Sequence, residues 1–406
     1  MDIKSFWWTN PGKIIFFFIV PVYVIIFLFS ANSPSINGTF NFFNFEIFFQ
    51  GLILLCLFGF TLGIFSNVSL TKNYEIKINI ITLDFVAIFT IIAYFFWFGE
   101  LIRNFDLIIN ILSGNSTYAS GVRMYINTIP GITTLSQFGV VYVTLYKYFI
   151  NFKNVILKKH YKFLYWIILI LTLFRTIVWS ERLALIEILI PIILLSKLKL
   201  KVYKKIRVIL FLGPYMGVLF LYLYFGIFEY FRSWASYYKF IYDNYWGFIF
   251  DRISNYYLTA LNNGAGVINV FNSSFDFQYT FAWVYKFPIL GEVLRDYTGL
   301  KSTLNIFLDN YGNREFNNLA GIFAVYHDFG FLGASVVMVV LGIIVGLLYN
   351  LYSKNSIIGV LLYPTFFIFL LEILRIFYIG EPRTTPIIFL SLLLLLVVGK
   401  RKGEVN

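Results

Sequence analysis

The chain has very few of the residues that build metal and redox sites. Its 406 residues include one cysteine, Cys56, and two histidines, His160 and His327. A lone cysteine excludes an intrachain disulfide and a thiolate metal site, and two histidines are too few for a histidine-built metal cluster. No glycine-rich phosphate loop, metal-ligand spacing or Asp-x-Asp pair stands out. We therefore expect no metal and no cofactor, and a nucleotide-sugar enzyme is disfavoured.

Charge is also scarce, whereas apolar residues are abundant. Charged residues make up 13% of the chain, hydrophobic residues 59%, and the mean hydropathy is +0.78. This composition predicts an all-α, polytopic transmembrane helical bundle. The net charge of +12 needs no nucleic-acid partner, because a basic face toward anionic lipid explains it.

About ten apolar segments are candidate spans, and together they predict a single membrane domain over residues 1–406. Most approach the ~20 residues that a helix needs to cross a bilayer. The segments are 13–31, 45–66, 80–102, 127–150, 162–179, 182–196, 207–227, 329–350, 357–378 and 384–399.

Lysine and arginine fall on opposite sides of these segments. Of 20 lysines, all but Lys239, Lys286 and Lys301 lie on one side, in the loops that follow the even-numbered spans and at the ends of the chain. Of 12 arginines, all but Arg207 and Arg401 lie on or near the other side. The positive-inside rule then predicts that both termini are cytoplasmic. The arginines are left as candidates for chemistry, since a guanidinium suits bidentate contact with phosphate.

Two connections on the outer side are long, at about 103–126 and 228–328. Loops of this length without structure of their own are uncommon, so we expect the second to form short helices over the membrane mouth. Its tryptophans and tyrosines fit either an interfacial aromatic belt or a platform for sugar rings.

Arg175 and Arg182 bracket the predicted turn between spans five and six. Two guanidiniums beside a tight hairpin suit the binding of a diphosphate. The structural alternative is an ion pair with Glu181 or Glu187 that holds the hairpin together.

Four more arginines are diphosphate candidates because of their placement on the outer side. Two of them have a structural alternative: Arg123 as a side chain that extends to the interface, and Arg375 as the partner of Glu372 in a helical i,i+3 ion pair. The four are Arg123, Arg314, Arg375 and Arg383. Arg103, Arg232, Arg252 and Arg295 have lower priority, because no turn, span end or polar neighbour singles them out as strongly.

His327 and Asp328 form the densest polar group at an apolar boundary, at the outer mouth of span eight. Histidine exchanges protons near neutral pH, and a carboxylate acts as a base or orients a hydroxyl. The alternatives are that Asp328 caps a helix N-terminus and that His327 is an interface residue. Gly330 and Gly333 permit close helix packing.

Two motifs resemble the Wzy-type O-antigen and oligosaccharide repeat-unit polymerases of bacterial inner membranes. One is Ser180-Glu-Arg182-Leu-Ala-Leu, and the other is Val325-Tyr-His-Asp328-Phe-Gly330-Phe-Leu-Gly333 with its continuation through Gly342 and Gly346. The layout agrees, with about ten spans and a large outer loop ahead of the second motif. The positions carried over from the family are Arg182, Asp328, Gly330 and Gly333.

The resemblance implies a GT-C-type membrane glycosyltransferase that needs no metal and no cofactor and whose active site faces the periplasm. Donor and acceptor would be undecaprenyl-diphosphate-linked glycans, with the lipid bilayer as surroundings and a chain-length regulator protein as an optional partner. The outer arginines would stabilise the diphosphate leaving group, and His327 or Asp328 would take the acceptor's proton.

Three other functions stay open. A lipid-linked glycan flippase predicts internal repeats and polar residues near the midplane of several spans, whereas this chain has no visible repeat and most of its charges lie at the outer mouth. An O-antigen ligase shares the chemistry and uses a histidine in its large outer loop, which invites comparison with His327. A structural or assembly subunit would need no charged cavity.

Overall fold

A computed structural model shows a protein that is helical almost throughout. The structure describes residues 3–31, 33–68, 76–103, 105–106, 109, 129, 131–179, 181–197, 204–234, 237–271, 273, 275–298, 302–398 and 400–401. In this part of the chain the β-structure is limited to two antiparallel pairs of two-residue strands. These are β1 (Ser35–Ile36) with β2 (Thr39–Phe40), and β3 (Ile76–Lys77) with β4 (Lys400–Arg401).

The α-helices follow one another along the chain in this order. They are α1 (Pro11–Ser30), α2 (Phe45–Ser66), α3 (Thr82–Arg103), α4 (Phe138–Asn151), α5 (Lys159–Val178), α6 (Arg182–Leu194), α7 (Lys204–Phe211), α8 (Gly213–Glu229), α9 (Tyr245–Val270), α10 (Ala282–Tyr285), α11 (Leu290–Thr298), α12 (Thr303–Asn310), α13 (Gly321–Ser353), α14 (Ile357–Glu372) and α15 (Thr385–Leu393). Short 3-10 turns lie at Ile3–Ser5, Trp7–Thr9, Thr133–Gln137, Tyr238–Phe240 and Tyr378–Gly380, and π-helical turns at Ile15–Ile19 within α1, Tyr230–Trp234 and Leu394–Val398.

The helical class predicted from composition is confirmed. A helix occupies each of the ten predicted spans, and α2 has the predicted bounds of 45–66. Five described helices are long and apolar enough to cross a membrane: α1, α2, α3 over Thr82–Gly99, α5 and α13. The remaining apolar segments form shorter helices, and span seven contains two of them, α7 and α8. The chain therefore has several membrane-length helices, while the count of ten stays a prediction.

The described part of the long connection 228–328 is largely helical, as its length predicted. Its main element, α9, has 26 residues, so it is a long helix rather than one of several short ones. Two adjacent buried asparagines on α9 hold irregular segments in place. Asn262 accepts from the backbone N–H groups of Phe42 and Phe43, and Asn263 Nδ2 donates to the carbonyl of Phe316. Their amides satisfy backbone groups that would otherwise be buried without partners.

The chain divides into two compact units. The first comprises Met1–Ile3, Glu75–Ile253 and Pro386–Asn406, and the second comprises Lys4–Tyr74 and Ser254–Thr385. In the first unit, an aromatic cluster joins α3 to the end of α5. It contains Tyr94, Trp97, Phe98 and Trp179, and Tyr94 hydrogen-bonds Thr172 Oγ1 at 2.8 Å.

The core of the second unit is the contact between α2 and α13. A Cβ added at Gly342 would lie 2.8 Å from Thr61 Cβ and 3.1 Å from the Phe58 carbonyl oxygen. One turn later, a Cβ at Gly346 would lie 2.8 Å from Phe65 Cβ. Small residues one turn apart let two helix backbones approach closely, which is how helices associate in lipid. These glycines in the second motif therefore serve packing.

Gly330 has a different role, because it breaks α13. Its φ of 66° and ψ of 171° are not helical, and this region of conformational space is essentially confined to glycine. A Cβ at this position would meet nothing closer than Ser273 Oγ at 3.7 Å. The residue is needed for its backbone angles and not for close packing, so the packing role predicted from the sequence is wrong at this position. The break separates the turns that carry His327 and Asp328 from the apolar remainder of α13.

Gly330→Ala is expected to destabilise the protein by about 1–3 kcal/mol, because alanine is strained at these angles. The matched control is Gly217→Ala in α8, where an added Cβ meets nothing within 4 Å and φ is ordinary. Alanine there should be neutral or slightly stabilising, because it favours a helix more than glycine does. Thermal unfolding in detergent measures both. Equal melting temperatures for the two variants would contradict the assigned role of Gly330.

Candidate functional site

Asp328 anchors the segment that contains Tyr279 and Thr280 to α13. Its side chain is fully buried. Its Oδ2 accepts hydrogen bonds from the backbone N–H of Tyr279 at 3.1 Å, the backbone N–H of Thr280 at 2.6 Å and Thr280 Oγ1 at 2.7 Å. The alternative that Asp328 caps its own helix is wrong, because the N-cap of α13 is Ala320. The carboxylate instead satisfies backbone amides of a distant segment.

His327 is buried beside Asp328, with Nδ1 3.5 Å from Asp328 Oδ1. The edge of the ring meets Tyr279, with centroids 5.4 Å apart. Among the described residues its Nε2 has no hydrogen-bond partner. The alternative of a mere interface residue is therefore disfavoured, since the ring is enclosed and one of its polar atoms is unsatisfied.

Tyr279 connects this pair to α12. Its hydroxyl lies 2.6 Å from Thr303 Oγ1 and accepts from the backbone N–H of Leu304 at 2.7 Å. Burial raises the pKa of Tyr279 to about 12, so the phenol is neutral at physiological pH. The segment around Tyr279 is thus fixed at both ends, by Asp328 and by the start of α12.

Asp276 is the third member of this group, and no motif around it in the sequence singles it out. Ligand atoms of Asp276, His327 and Asp328 all lie within 4.8 Å of one another. We call these three residues the Asp–His–Asp cluster. Asp276 is half-buried, and its two carboxylate oxygens accept from Gln278 N at 3.1 Å and Gln278 Nε2 at 3.0 Å. Folding of the loop brings together three side chains that can bind a metal, which motif spacing along the chain could not reveal.

In the first unit, Arg182 lies in a buried network with two residues that were not among the predicted site residues. Arg182 Nη1 is 2.9 Å from Glu229 Oε1, and Arg252 Nε is 3.7 Å from Glu229 Oε2. Ser233 Oγ donates to Glu229 Oε2 at 2.6 Å. We call Arg182, Glu229 and Arg252 the Glu229 triad. Glu229 is fully buried, and the side chains of Arg182 and Arg252 are 10% and 5% exposed.

Aromatic rings enclose both guanidinium groups of the Glu229 triad. Arg182 Cζ lies 3.9 Å from the ring centroid of Phe225, and Arg252 Cζ lies 5.4 Å from that of Tyr238. Such contacts are favourable between a cation and the face of a ring. Nothing near Arg252 in the sequence marks it as a strong candidate for diphosphate binding. Its ion-pair partner, Glu229, lies at the end of a different helix.

Arg175 has the partner that the structural alternative predicted. Its Nε and Nη2 both lie 2.6 Å from Glu181 Oε2, and Nη1 donates to Ser136 Oγ at 2.8 Å. The guanidinium also lies 4.2 Å from the Trp97 ring centroid. Glu187, the other predicted partner, accepts instead from Gln137 Nε2 at 3.1 Å. Arg175 and Arg182 therefore contact different carboxylates.

In the second unit, Arg314 and Arg375 also contact acids. Arg314 is exposed and donates from Nε to Asp309 Oδ1 at 2.6 Å. Arg375 Nε lies 2.5 Å from Glu372 Oε2, the predicted i,i+3 pair. Burial, and next the Glu372 carboxylate, raises the pKa of Tyr257 nearby. Tyr257 therefore stays neutral beside this ion pair.

The structure says less about the two remaining arginine candidates for the diphosphate site. Arg383 is half-buried in the turn before α15. Arg123 lies outside the described residues. The convergence of the six arginines on one diphosphate stays a prediction, since its members belong to two units that are described separately. Within single units, the structure brings Arg182 together with Arg252, and His327 and Asp328 together with Asp276.

The chain matches no family model, no curated protein and no solved structure. The resemblance to the repeat-unit polymerases therefore rests on the two motifs and the layout alone.

Proposed function

We propose that this chain is a membrane glycosyltransferase that polymerises polyprenyl-diphosphate-linked oligosaccharide repeat units at the periplasmic face of a bacterial inner membrane. The ten-span topology and the GT-C-type fold belong to this proposal. The observation that carries it is the fold of the second motif. There, a buried His327–Asp328 pair lies ahead of the glycine-dependent break at Gly330, and a membrane-length helix follows.

The position of these polar groups supports an enzyme over a flippase. His327 and Asp328 lie near the beginning of α13, and they contact the outer loop through Tyr279 and Thr280. A transporter would place polar groups near the middle of several spans. A cluster where a helical loop meets a membrane helix suits a reaction between the glycan parts of two substrates that are both anchored in the membrane by their lipids.

The reaction forms one bond and breaks one. The oxygen of an acceptor hydroxyl bonds to the anomeric carbon of the donor's first sugar, while the bond from that carbon to the diphosphate oxygen breaks. The electron pair leaves with the polyprenyl diphosphate, and the hydroxyl proton passes to a group of the active site. Guanidinium groups stabilise the developing charge on the diphosphate. We assign acceptor activation to the Asp–His–Asp cluster, and diphosphate binding to the outer arginines.

Deletion of the gene tests the proposal directly. Loss of a polymerase should leave lipid A capped with single repeat units, so the surface-polymer ladder on a gel collapses to its first band. Loss of a ligase should leave lipid A with no repeat unit at all. An unchanged ladder would rule out both enzymes, and accumulation of lipid-linked glycan on the cytoplasmic side would indicate a flippase.

Arg314→Ala should weaken polymerisation about 10-fold or more without unfolding the protein. The side chain is 75% exposed, so its loss costs little stability, whereas a charge-assisted bond to phosphate contributes about 1.5–3 kcal/mol. The matched control is Lys286→Ala, which removes an exposed cation of the same loop that pairs with Glu381. Ladder length and the rate of transfer to a lipid-linked acceptor measure the effect. Full activity in Arg314→Ala would remove this residue from the diphosphate site.

A further inference from the structure

Among the described residues, the Asp–His–Asp cluster brings two carboxylates together without a lysine or arginine in contact with them. Asp328 is fully buried and Asp276 half-buried, and no lysine or arginine contacts either of them among the described residues. An unpaired buried carboxylate is costly unless a proton, a cationic side chain or a metal ion compensates it. His327 is the nearest group that can take a positive charge, and it lies against both aspartates.

The histidine has an unsatisfied polar atom. Its side chain is 0% exposed, and its Nε2 has no hydrogen-bond partner in the described part of the chain. The nitrogen that faces the cluster, Nδ1, makes a contact of 3.5 Å with Asp328 Oδ1, at the outer limit of a hydrogen bond. A metal ion between this nitrogen and the carboxylates would satisfy the ring better than that contact does. Imidazole nitrogen together with carboxylate oxygen is a ligand set that suits Mn²⁺ and Zn²⁺.

We propose that Asp276, His327 and Asp328 bind one divalent cation, Mn²⁺ or Zn²⁺. Ligand atoms about 2.0–2.2 Å from a metal ion lie roughly 3–4.4 Å from one another, so the observed limit of 4.8 Å closes with small side-chain rotations. Three protein ligands leave a coordination position open for a substrate oxygen. This inference goes beyond the proposed function and does not rest on it.

The hydrogen bonds around the two aspartates fit this role. Thr280 and Tyr279 orient the Asp328 carboxylate through Oδ2, and Gln278 orients Asp276. Such outer contacts fix metal-ligating carboxylates in place. A bound cation would make His327 a ligand rather than a free base. If the ion also coordinated a substrate hydroxyl at its open position, it would lower the pKa of that oxygen.

The test uses the full-length protein purified in detergent, stripped with a chelator and titrated with Mn²⁺. Loss of the free-ion electron paramagnetic resonance signal reports binding, and competition with Zn²⁺ reports the preference. We expect one Mn²⁺ or Zn²⁺ per chain, and affinity at least 10-fold lower in both Asp276→Asn and His327→Gln. Glu292→Gln, which changes an exposed acid of the same loop, should bind as the wild type does.

A second measurement guards against misfolded variants. Asp276→Asn keeps one side-chain oxygen that can accept a hydrogen bond from Gln278, so this variant should fold. Its melting temperature without metal should stay close to that of the wild type, whereas added metal should raise only the wild-type value. Absence of stoichiometric binding by the wild type, or equal binding by all variants, would overturn the inference. Neither readout involves sugar transfer, so this inference and the proposed function fail separately.

Discussion

Glu229→Gln lowers the free energy of unfolding by about 3–5 kcal/mol, the largest effect that we expect from a single polar substitution in the first unit. Glu229 is fully buried between Arg182 and Arg252. Glutamine keeps the shape of the side chain but removes the charge that compensates two enclosed guanidiniums. An uncompensated buried charge is much more costly than the absence of the whole network. Thermal unfolding in detergent measures the loss, with Glu292→Gln as the exposed control.

A triple variant separates the structural role of the Glu229 triad from a catalytic one. Arg182→Met, Glu229→Leu and Arg252→Met together remove every charge of the triad, and apolar replacement of a buried ionic network is often neutral or stabilising. We expect this variant to recover most of the stability lost in Glu229→Gln and to make no polymer. A stable triple variant with a full-length ladder would show that Arg182 and Arg252 serve only the fold.

Asp328→Ala should release the loop segment around Tyr279 and abolish polymer formation. The substitution leaves two backbone N–H groups and one hydroxyl without the acceptor that they now share. Each buried donor without a partner costs about 1–3 kcal/mol, although water that enters the released segment offsets part of this. We therefore expect a loss of stability of about 3 kcal/mol, and amide hydrogen exchange at Tyr279 and Thr280 should become much faster.

Two comparisons give this prediction its control. Asp328→Asn keeps an acceptor oxygen, so it should retain much of the amide protection and still lose activity if the charge of Asp328 is required. Asp309→Asn alters an exposed acid that pairs only with Arg314 among the described residues, and exposed pairs contribute about 0–1 kcal/mol. Unchanged exchange at Tyr279 and Thr280 in Asp328→Ala would show that the loop is held by other contacts.

Features that depend on residues near one another in the sequence could be predicted, whereas features that depend on distant contacts could not, and the reason is physical. The helical class and the places of the apolar helices follow from runs of apolar residues, which the bilayer requires of any segment that crosses it. The i,i+3 pair of Glu372 with Arg375 and the pair of Arg175 with Glu181 were the structural alternatives to diphosphate binding, and they were available from the sequence because these partners are near one another along the chain. The sequence pointed to Gly330 but not to its role. The presence of a glycine does not by itself reveal that its φ is 66°.

The amino-acid sequence by itself determined that this protein is built of apolar helices, that the long connection 228–328 is helical, and that His327 and Asp328 lie together where that connection meets a long helix. Only the tertiary structure decided which side chains join them. Asp276 comes close to His327 through the fold of the connection 228–328, and Arg252 and Arg182 are joined through Glu229. Contacts between residues far apart along the chain depend on how helices and loops pack, and neither composition nor periodicity encodes that packing residue by residue.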